Sequence, residues 1–202
     1  MRNWGEVLPN FDQIVCYETL KRVLDVSLGL ALIIPVAVIV TPFLLLIVIE
    51  DSLPFFYRSK RVGLGSRIFI MFKLRSMYKV GNDERYATPK NDPRIMRIGK
   101  LIRSLSIDEL PQIMNVILGN MSFIGPRPDD PRMKDLYTEK EWAKRHRTRP
   151  GITGLAQVIN RHSLSVQQRK RLDLFYVEKK SLGLDTLIFF KTIKTLIFSR
   201  SF

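Results

Sequence analysis

The stretch VSLGLALIIPVAVIVTPFLLLIVI, Val26 to Ile49, is 24 residues without a charge, and its reading decides the architecture of the chain. As an unbroken helix it would extend about 36 Å, against a hydrocarbon core of roughly 30 Å. A secretory leader fits poorly, because the run is too long, begins too late and lacks a small-residue cleavage site. A simple transmembrane anchor satisfies hydropathy alone. Three features argue for a different path. Pro35 and Pro42 each remove a helical hydrogen bond inside the run. Asp25 places a carboxylate at its entrance, where burial demands a partner. Lys21 and Arg22 precede the run while Arg58, Lys60 and Arg61 follow it, so the basic residues set no orientation. A hydrophobic helix that bends and returns to the face it came from reconciles all three. The expected division is a polar or interfacial prefix over 1–20, a re-entrant membrane helix over 21–50 and a cytosolic domain over 51–202.

The whole chain of 202 residues suffices for one domain with a core of its own. Its 33 Lys and Arg against 19 Asp and Glu give a formal charge of +14, which suits an anionic partner. Nucleic acid, an anionic membrane and a phosphorylated substrate all answer to that description. The single cysteine, Cys16, excludes an intrachain disulfide and fits a reducing compartment. With two histidines, His146 and His162, no structural zinc set can be assembled. A metal would have to be a hard one, held by carboxylates and phosphates.

Beyond the apolar run, residues 54–77 read as two β-rich stretches around Gly63-Leu64-Gly65, with Ile68, Ile70, Phe72 and Leu74 alternating. A polar segment over 79–93 is long for a compact domain and is expected to be a functional loop. Apolar residues at 95, 98, 101, 102 and 105 predict a helix from Ile95 to Leu105. A second helix is expected from Ser106 to Leu118, with Ser106 and Glu109 as a capping box and a late start or bend at Pro111. Gly125-Pro126-Arg127-Pro128 predicts a rigid turn, and further helices are expected over 130–147 and 163–180. The tail 184–198, with Lys191 and Lys194 on one side, fits either an interfacial helix or a docked core helix. The expected fold class is α+β, mainly helical: a small domain with a β-hairpin, anchored by the re-entrant helix and interfacial amphipathic helices.

From Arg58 to Lys79 there are seven basic residues and no acidic one. Arg94, Arg97, Lys100, Arg103, Arg127, Arg145, Arg147 and Arg149 extend the positive field. Surface charge runs are often only solvated or laid on lipid headgroups. Here they are interleaved with Gly and Pro turns, which offer backbone amides as well as guanidinium forks to phosphate oxygens. Amid them lies the pair Asp108-Glu109. Carboxylates at a helix start can merely complement the dipole, for about 0.3–1 kcal/mol. In a phosphate-binding setting they can also hold Mg²⁺ or attack phosphorus.

The series KRVLD (21–25), RVGLGSRIFIMFKLRSM (61–77), DPRIMRIGKLIRSLSIDELPQIMNVILGNMSFIGPRP (92–128) and RPGITGLAQV (149–158) resembles the bacterial sugar transferases, the monotopic polyprenyl-phosphate phosphoglycosyl transferases. The resemblance runs from about residue 20 to the C-terminus and suggests a minimal catalytic unit. It implies a ping-pong reaction in which Asp108 attacks the β-phosphorus of a UDP-sugar, UMP leaves, and polyprenyl phosphate, commonly undecaprenyl phosphate, takes the sugar-phosphate. It implies that Glu109 assists by proton transfer or by positioning Mg²⁺, with Asp108 close to the metal. By motif position Lys73, Arg103 and Arg127 would contact phosphates, Arg149 and Gln157 the nucleotide end, and Pro126 and Pro128 would aim Arg127. It further implies a site on the cytoplasmic face of the bacterial inner membrane and a helix broken at a proline. Where the family shows Ser-Pro at that break, this chain has Ile34-Pro35 and Thr41-Pro42, and Leu155 stands where the family usually has Trp.

Two other readings stay on the table. A membrane-tethered nucleic-acid binder would use the charge, but the basic residues are spread over turns and no recognised nucleic-acid module is present. A non-catalytic scaffold of a glycan-assembly machine would have no need of the acidic pair. The expected partners are therefore a UDP-sugar, a polyprenyl phosphate and membrane lipids rather than nucleic acid, with a homodimer left open.

Overall fold

The computed structural model describes residues 11–78, 92–159 and 164–198. Most of the expected functional loop over 79–93, and residues 1–10 of the prefix, lie outside the described residues. Helix α1 spans Phe11–Asp51, 41 residues, and the helical path continues through Pro35 and Pro42. The second half of the expected prefix thus belongs to the same helix as the apolar run. Beside Pro42, the Thr41 hydroxyl donates to the Ala37 carbonyl at 2.8 Å, a back-bond of the kind that bends helices.

Both ends of α1 are tied to the rest of the chain. Near its start Lys21 Nζ meets Asp185 Oδ2 at 2.5 Å. Asp25 accepts the Phe123 amide at 3.1 Å, the partner that a carboxylate at this point requires. At its finish Glu50 accepts the Arg97 and Ile98 amides at 2.6 and 2.8 Å, and Arg75 donates to the Asp51 carbonyl at 2.6 Å. Between these ties Val36, Val40, Phe43, Leu44 and Ile47 pack on Leu74, Met96, Ile102 and Ile107. The outer side, including Ile34, Val38, Leu45 and Ile49, is exposed.

Strands β1 (Phe56–Val62) and β2 (Ile68–Leu74) form the expected antiparallel hairpin, in the register Phe56↔Leu74 to Val62↔Ile68. A 3-10 turn over Leu64–Ser66 closes it, with Gly65 at φ 63°. The expected alternation of Ile68, Ile70, Phe72 and Leu74 does not describe the buried face. Phe69 and Met71 point inward onto Val116 and Met121, whereas Ile68 and Ile70 are exposed. Both faces of β2 are apolar, so periodicity could not choose between them; packing against the neighbouring helix did.

Helix α2 (Arg97–Ser104) buries Ile102 and leaves Leu101 and the following Leu105 exposed. The next helix takes the late start expected at Pro111, and the Ser106 capping box does not form. Ser106 lies in the left-handed region at φ 56° with no side-chain capping bond, a 3-10 turn covers Ile107–Glu109, and α3 (Gln112–Ile117) starts after Pro111. Pro111 lacks the amide that an earlier helix would require, and Glu109 is drawn instead to Lys73 and Arg127. Asn115 on α3 fastens it to the hairpin, accepting the Phe72 amide at 3.0 Å and donating to the Ile70 carbonyl at 2.7 Å.

Strands β3 (Ser122–Ile124) and β4 (Gly151–Thr153) pair in parallel. A Cβ on Gly151 would stand 2.1 Å from the Gly125 nitrogen, so only glycine allows this approach. The helix expected over 130–147 is two pieces, a 3-10 turn over Pro131–Leu136 and α4 (Glu139–Arg145). A capping box of Thr138 and Glu141 restarts it after the extended Tyr137. Helix α5 (Leu155–Ile159) precedes α6 (Val166–Lys179), which a Ser165–Gln168 capping box opens, and α7 (Leu182–Phe198) follows. Of the two readings of the tail, the docked helix describes one side of α7. Leu184 and Ile188 dock on Ile124, Leu155, Tyr176 and Val177, while Leu187, Phe190 and Ile193 remain exposed. The architecture is mainly helical, with two two-stranded sheets and one long apolar N-terminal helix.

Candidate active site

Strand β2 delivers Lys73 to the acidic pair, its Nζ 2.8 Å from Glu109 Oε1 and 3.5 Å from Asp108 Oδ2. Arg127 reaches the same Glu109 oxygen at 3.1 Å from the turn that follows β3. Pro126 and Pro128, both buried, fix the backbone on either side of Arg127, which has little freedom except along its own side chain. The carboxylates sit on the 3-10 turn immediately after Ser106, whose left-handed backbone costs of order 1 kcal/mol or more for a residue other than glycine. Strain next to functional groups marks a conformation that the surroundings over-determine.

Burial pushes the Asp108 carboxyl above its ordinary range; Lys73 opposes this, Glu109 adds to it and Arg103 opposes it. The charge of Glu109, in turn, raises the Arg127 guanidinium. Beside the pair opens a cleft of about 110 Å³ lined by Arg61, Lys73, Gln112, Arg127 and Arg169, with Met71 among its apolar contacts. Four cations around so small a volume match the oxygens of a phosphate or diphosphate, which guanidinium forks bind in pairs.

Behind this cleft lies a second charged group. Asp129 accepts from Arg145 Nη1 and, at 2.9 Å, from Arg169 Nη2. Arg145 Nη2 donates to Asp173 at 2.6 Å. His146, stacked against Trp142, has Nδ1 2.8 Å from the Trp142 carbonyl, and burial lowers its pKa to about 4.

Of the residues expected to form the site, Asp108, Glu109, Lys73 and Arg127 come together. Arg103 lies with Nη1 3.5 Å from Met77 Sδ, close enough to influence Asp108. Arg149 donates to the Gly119 carbonyl at 3.0 Å and Gln157 to the Ile152 carbonyl at 3.2 Å; neither lines the cleft. Three polar lining residues were not singled out from sequence. Arg61 was one member of a basic run, and Gln112 stands four residues beyond Asp108, a spacing that could have drawn attention to it. Arg169 comes from α6, far along the chain, and carries no local signal.

Two neighbouring carboxylates, one of them held above its ordinary proton affinity by burial, fit a hard divalent cation. Mg²⁺ typically takes one or two carboxylates and completes its shell with water and phosphate oxygens. No group of three ligating side chains occurs among the described residues, so substrate and water would have to supply the rest.

The bacterial sugar transferase family profile matches residues 16–199. The undecaprenyl-phosphate glucose phosphotransferase of Komagataeibacter xylinus is 41% identical over 195 residues, which take in 90% of this chain and 36% of that protein. The UDP-glucose:undecaprenyl-phosphate glucose-1-phosphate transferase of Caulobacter vibrioides is 37% identical over 192 residues, 91% of this chain and 72% of the relative. The uncharacterized sugar transferase EpsL of Bacillus subtilis is 36% identical over 180 residues, 89% and 88% of the two chains. The chain therefore spans about a third of one relative and most of another. With the profile covering the long apolar helix, the acidic pair and the cationic cleft alike, this chain belongs to the bacterial sugar transferase family.

Proposed function

We propose that the chain transfers a sugar-1-phosphate from a UDP-sugar to undecaprenyl phosphate, the first membrane step of a bacterial glycan. The observation that carries this reading is Asp108 itself, a largely buried carboxylate at a cleft lined by four cations, in a chain of this family. The names of the relatives from Komagataeibacter and Caulobacter support the acceptor, and the latter supports a UDP-linked donor.

In the proposed first half-reaction an Asp108 oxygen bonds to the β-phosphorus. The bond from that phosphorus to the oxygen bridging the two phosphates breaks, and UMP departs with the electron pair. An oxygen of undecaprenyl phosphate then attacks the same phosphorus. The acyl phosphate bond breaks, releasing the lipid diphosphosugar and the Asp108 carboxylate. Lys73 and Arg127 orient the reacting phosphate and offset its charge, and Glu109 holds both cations in place. Mg²⁺ held by Asp108, with Glu109 assisting, would supply further charge neutralisation at the phosphates.

The helix ties support a re-entrant anchor with the site on the cytoplasmic face of the inner membrane. A spanning helix puts its ends on opposite sides of a bilayer, and a polar domain cannot cross it to hydrogen-bond both. Here Lys21 and Asp25 bind one part of the domain while Glu50 and Asp51 bind another. The packing partner changes from Ile117, under Gly29, to Met96 and Ile102, under Val36 and Val40, and Pro35 stands between them as the proposed bend. Cysteine labelling of residues 21 and 51 in intact cells is expected to find both inaccessible from outside; exposure of one end alone would defeat the re-entrant reading.

The decisive assay is UMP release by detergent-purified protein given Mg²⁺, undecaprenyl phosphate and a panel of UDP-sugars. Release with one sugar identifies reaction and donor together. Silence across a broad panel, with no labelled sugar-phosphate trapped on the protein, would defeat the proposal.

A further inference from the structure

The cations of the cleft are not equivalent. Lys73 and Arg127 are engaged with the acidic pair. Arg61 and Arg169 are not: among the described residues no hydrogen bond or ion pair is made by the Arg61 guanidinium, and its Nε is buried without a partner. In the hairpin register Arg61 stands opposite Phe69, four residues along β2 from Lys73, and the bridge from Val62 to Asp129 holds this end of β1 beside Asp129, so Arg61 enters the cleft away from the Lys73 end. Arg169 is anchored from behind by Asp129, at 2.9 Å, and its side chain is still 29% exposed. Asp129 is in turn locked by Arg145, and Arg145 by Asp173, all three side chains within 1% of complete burial. A buried ionic group of this kind is costly to assemble and adds little stability over apolar packing. What it does supply is a fixed direction for the one guanidinium that leaves it for the cleft.

Resting on the reaction proposed above, we infer that Arg61 and Arg169 bind the departing phosphate, the one that leaves with the nucleoside, and that Asp129 is the positioning residue for Arg169. Displacement at phosphorus sets the leaving oxygen roughly opposite the attacking one. Asp108 lies 3.5 Å from Lys73, which lines the cleft, so a phosphate leaving in line with its attack falls toward Arg61 and Arg169. Two guanidiniums there match a phosphate monoester dianion, and each charge-assisted bond gains strength as the bridging oxygen takes on charge. Lys73 and Arg127 then serve both half-reactions, whereas Arg61 and Arg169 serve only the first.

The test separates the halves. Arg61→Gln shortens a side chain that makes no hydrogen bond or ion pair among the described residues, Arg169→Lys keeps a cation but loses the fork, and a melting curve on each variant verifies the fold. UMP is the probe, measured by equilibrium binding to the full-length enzyme in detergent. Each variant is expected to bind UMP about tenfold or more weakly, the scale of a lost charge-assisted bond. In ping-pong kinetics kcat/KM for the donor is expected to fall in parallel while kcat/KM for undecaprenyl phosphate holds. Unchanged UMP affinity in Arg61→Gln, or an equal fall for donor and acceptor, would overturn the assignment while leaving the wild-type reaction standing. A wild-type enzyme that neither binds nor releases UMP would instead bring down the reaction itself, and this inference with it.

Discussion

Two clusters of carboxylates and cations reach the cleft, one through Lys73 and Arg127 and one through Arg169, and they do different work. In the cluster of Asp129, Arg145 and Asp173 the side chains are 0–1% exposed and each carboxylate meets a guanidinium. In the cluster of Asp108, Glu109 and Lys73 they are 14–17% exposed, and Asp108 keeps only a 3.5 Å approach to Lys73. The first is dry and closed; the second opens onto a cationic cleft and holds one carboxylate above its ordinary range. Closure of the first makes it a scaffold, and incompleteness of the second makes room for a substrate to complete it. The difference lies in solvent access and pairing rather than in composition.

Substitutions in the two clusters should therefore fail in different ways. Asp108→Asn is expected to reduce transfer by at least about 10³-fold, as loss of a nucleophile does. Its fold should not suffer. A carboxyl raised above 3.8 binds more protons folded than unfolded, so stability falls as pH rises through that window, and removing the charge relieves this at neutral pH. UMP release and a melting curve on the same preparation check both halves; near-normal turnover would remove Asp108 from the mechanism. Arg145→Met is the reverse case. It leaves two buried carboxylates without the guanidinium between them and should cost about 3–5 kcal/mol, read as a lowered melting temperature, with UMP affinity falling as well because Asp129 loses its hold on Arg169.

Smaller effects sharpen the contrast. Lys73 holds down the proton affinity of Asp108. Lys73→Met should weaken donor kcat/KM by about 10- to 100-fold and move the acid limb of its pH profile upward. An acid limb that stays put would mean that Lys73 does not govern Asp108. The smallest effect belongs to His146, neutral inside the closed region, with a pKa of about 4 against an ordinary 6.5. Between those values the unfolded chain binds the extra proton, so stability is lost as pH falls from 6.5 toward 4. His146→Gln should flatten that part of the melting profile, and an unchanged slope would assign the acid sensitivity elsewhere.

The capping boxes show where local reading succeeds and where it is overruled. Thr138 with Glu141 and Ser165 with Gln168 both form as their spacing allows, on exposed helix starts where Glu141 takes the Lys170 ammonium as well without leaving its cap. Ser106 with Glu109 has the same spacing and does not form. Its glutamate is taken by Lys73 and Arg127, and Pro111 withholds the amide for an early helix. The local rule gives way at the functional site, where the chemistry competes for the same side chain. Helix α2 shows the converse, since the carboxylate on its first amides is Glu50, supplied by another element.

Composition and local order were enough for the long apolar helix, the hairpin about Gly63–Gly65 and the acidic pair in a basic field. All of these rest on hydrophobic runs, turn residues and charge, which are properties of neighbours along the chain. Which face of β2 is buried, the displacement of Arg149 and Gln157 from the cleft, and the arrival of Arg61 and Arg169 at its wall were settled only by tertiary packing. Those facts depend on groups many residues apart being desolvated together. The cost of burying a charge is set by what else is buried beside it, and a linear sequence does not contain that distance.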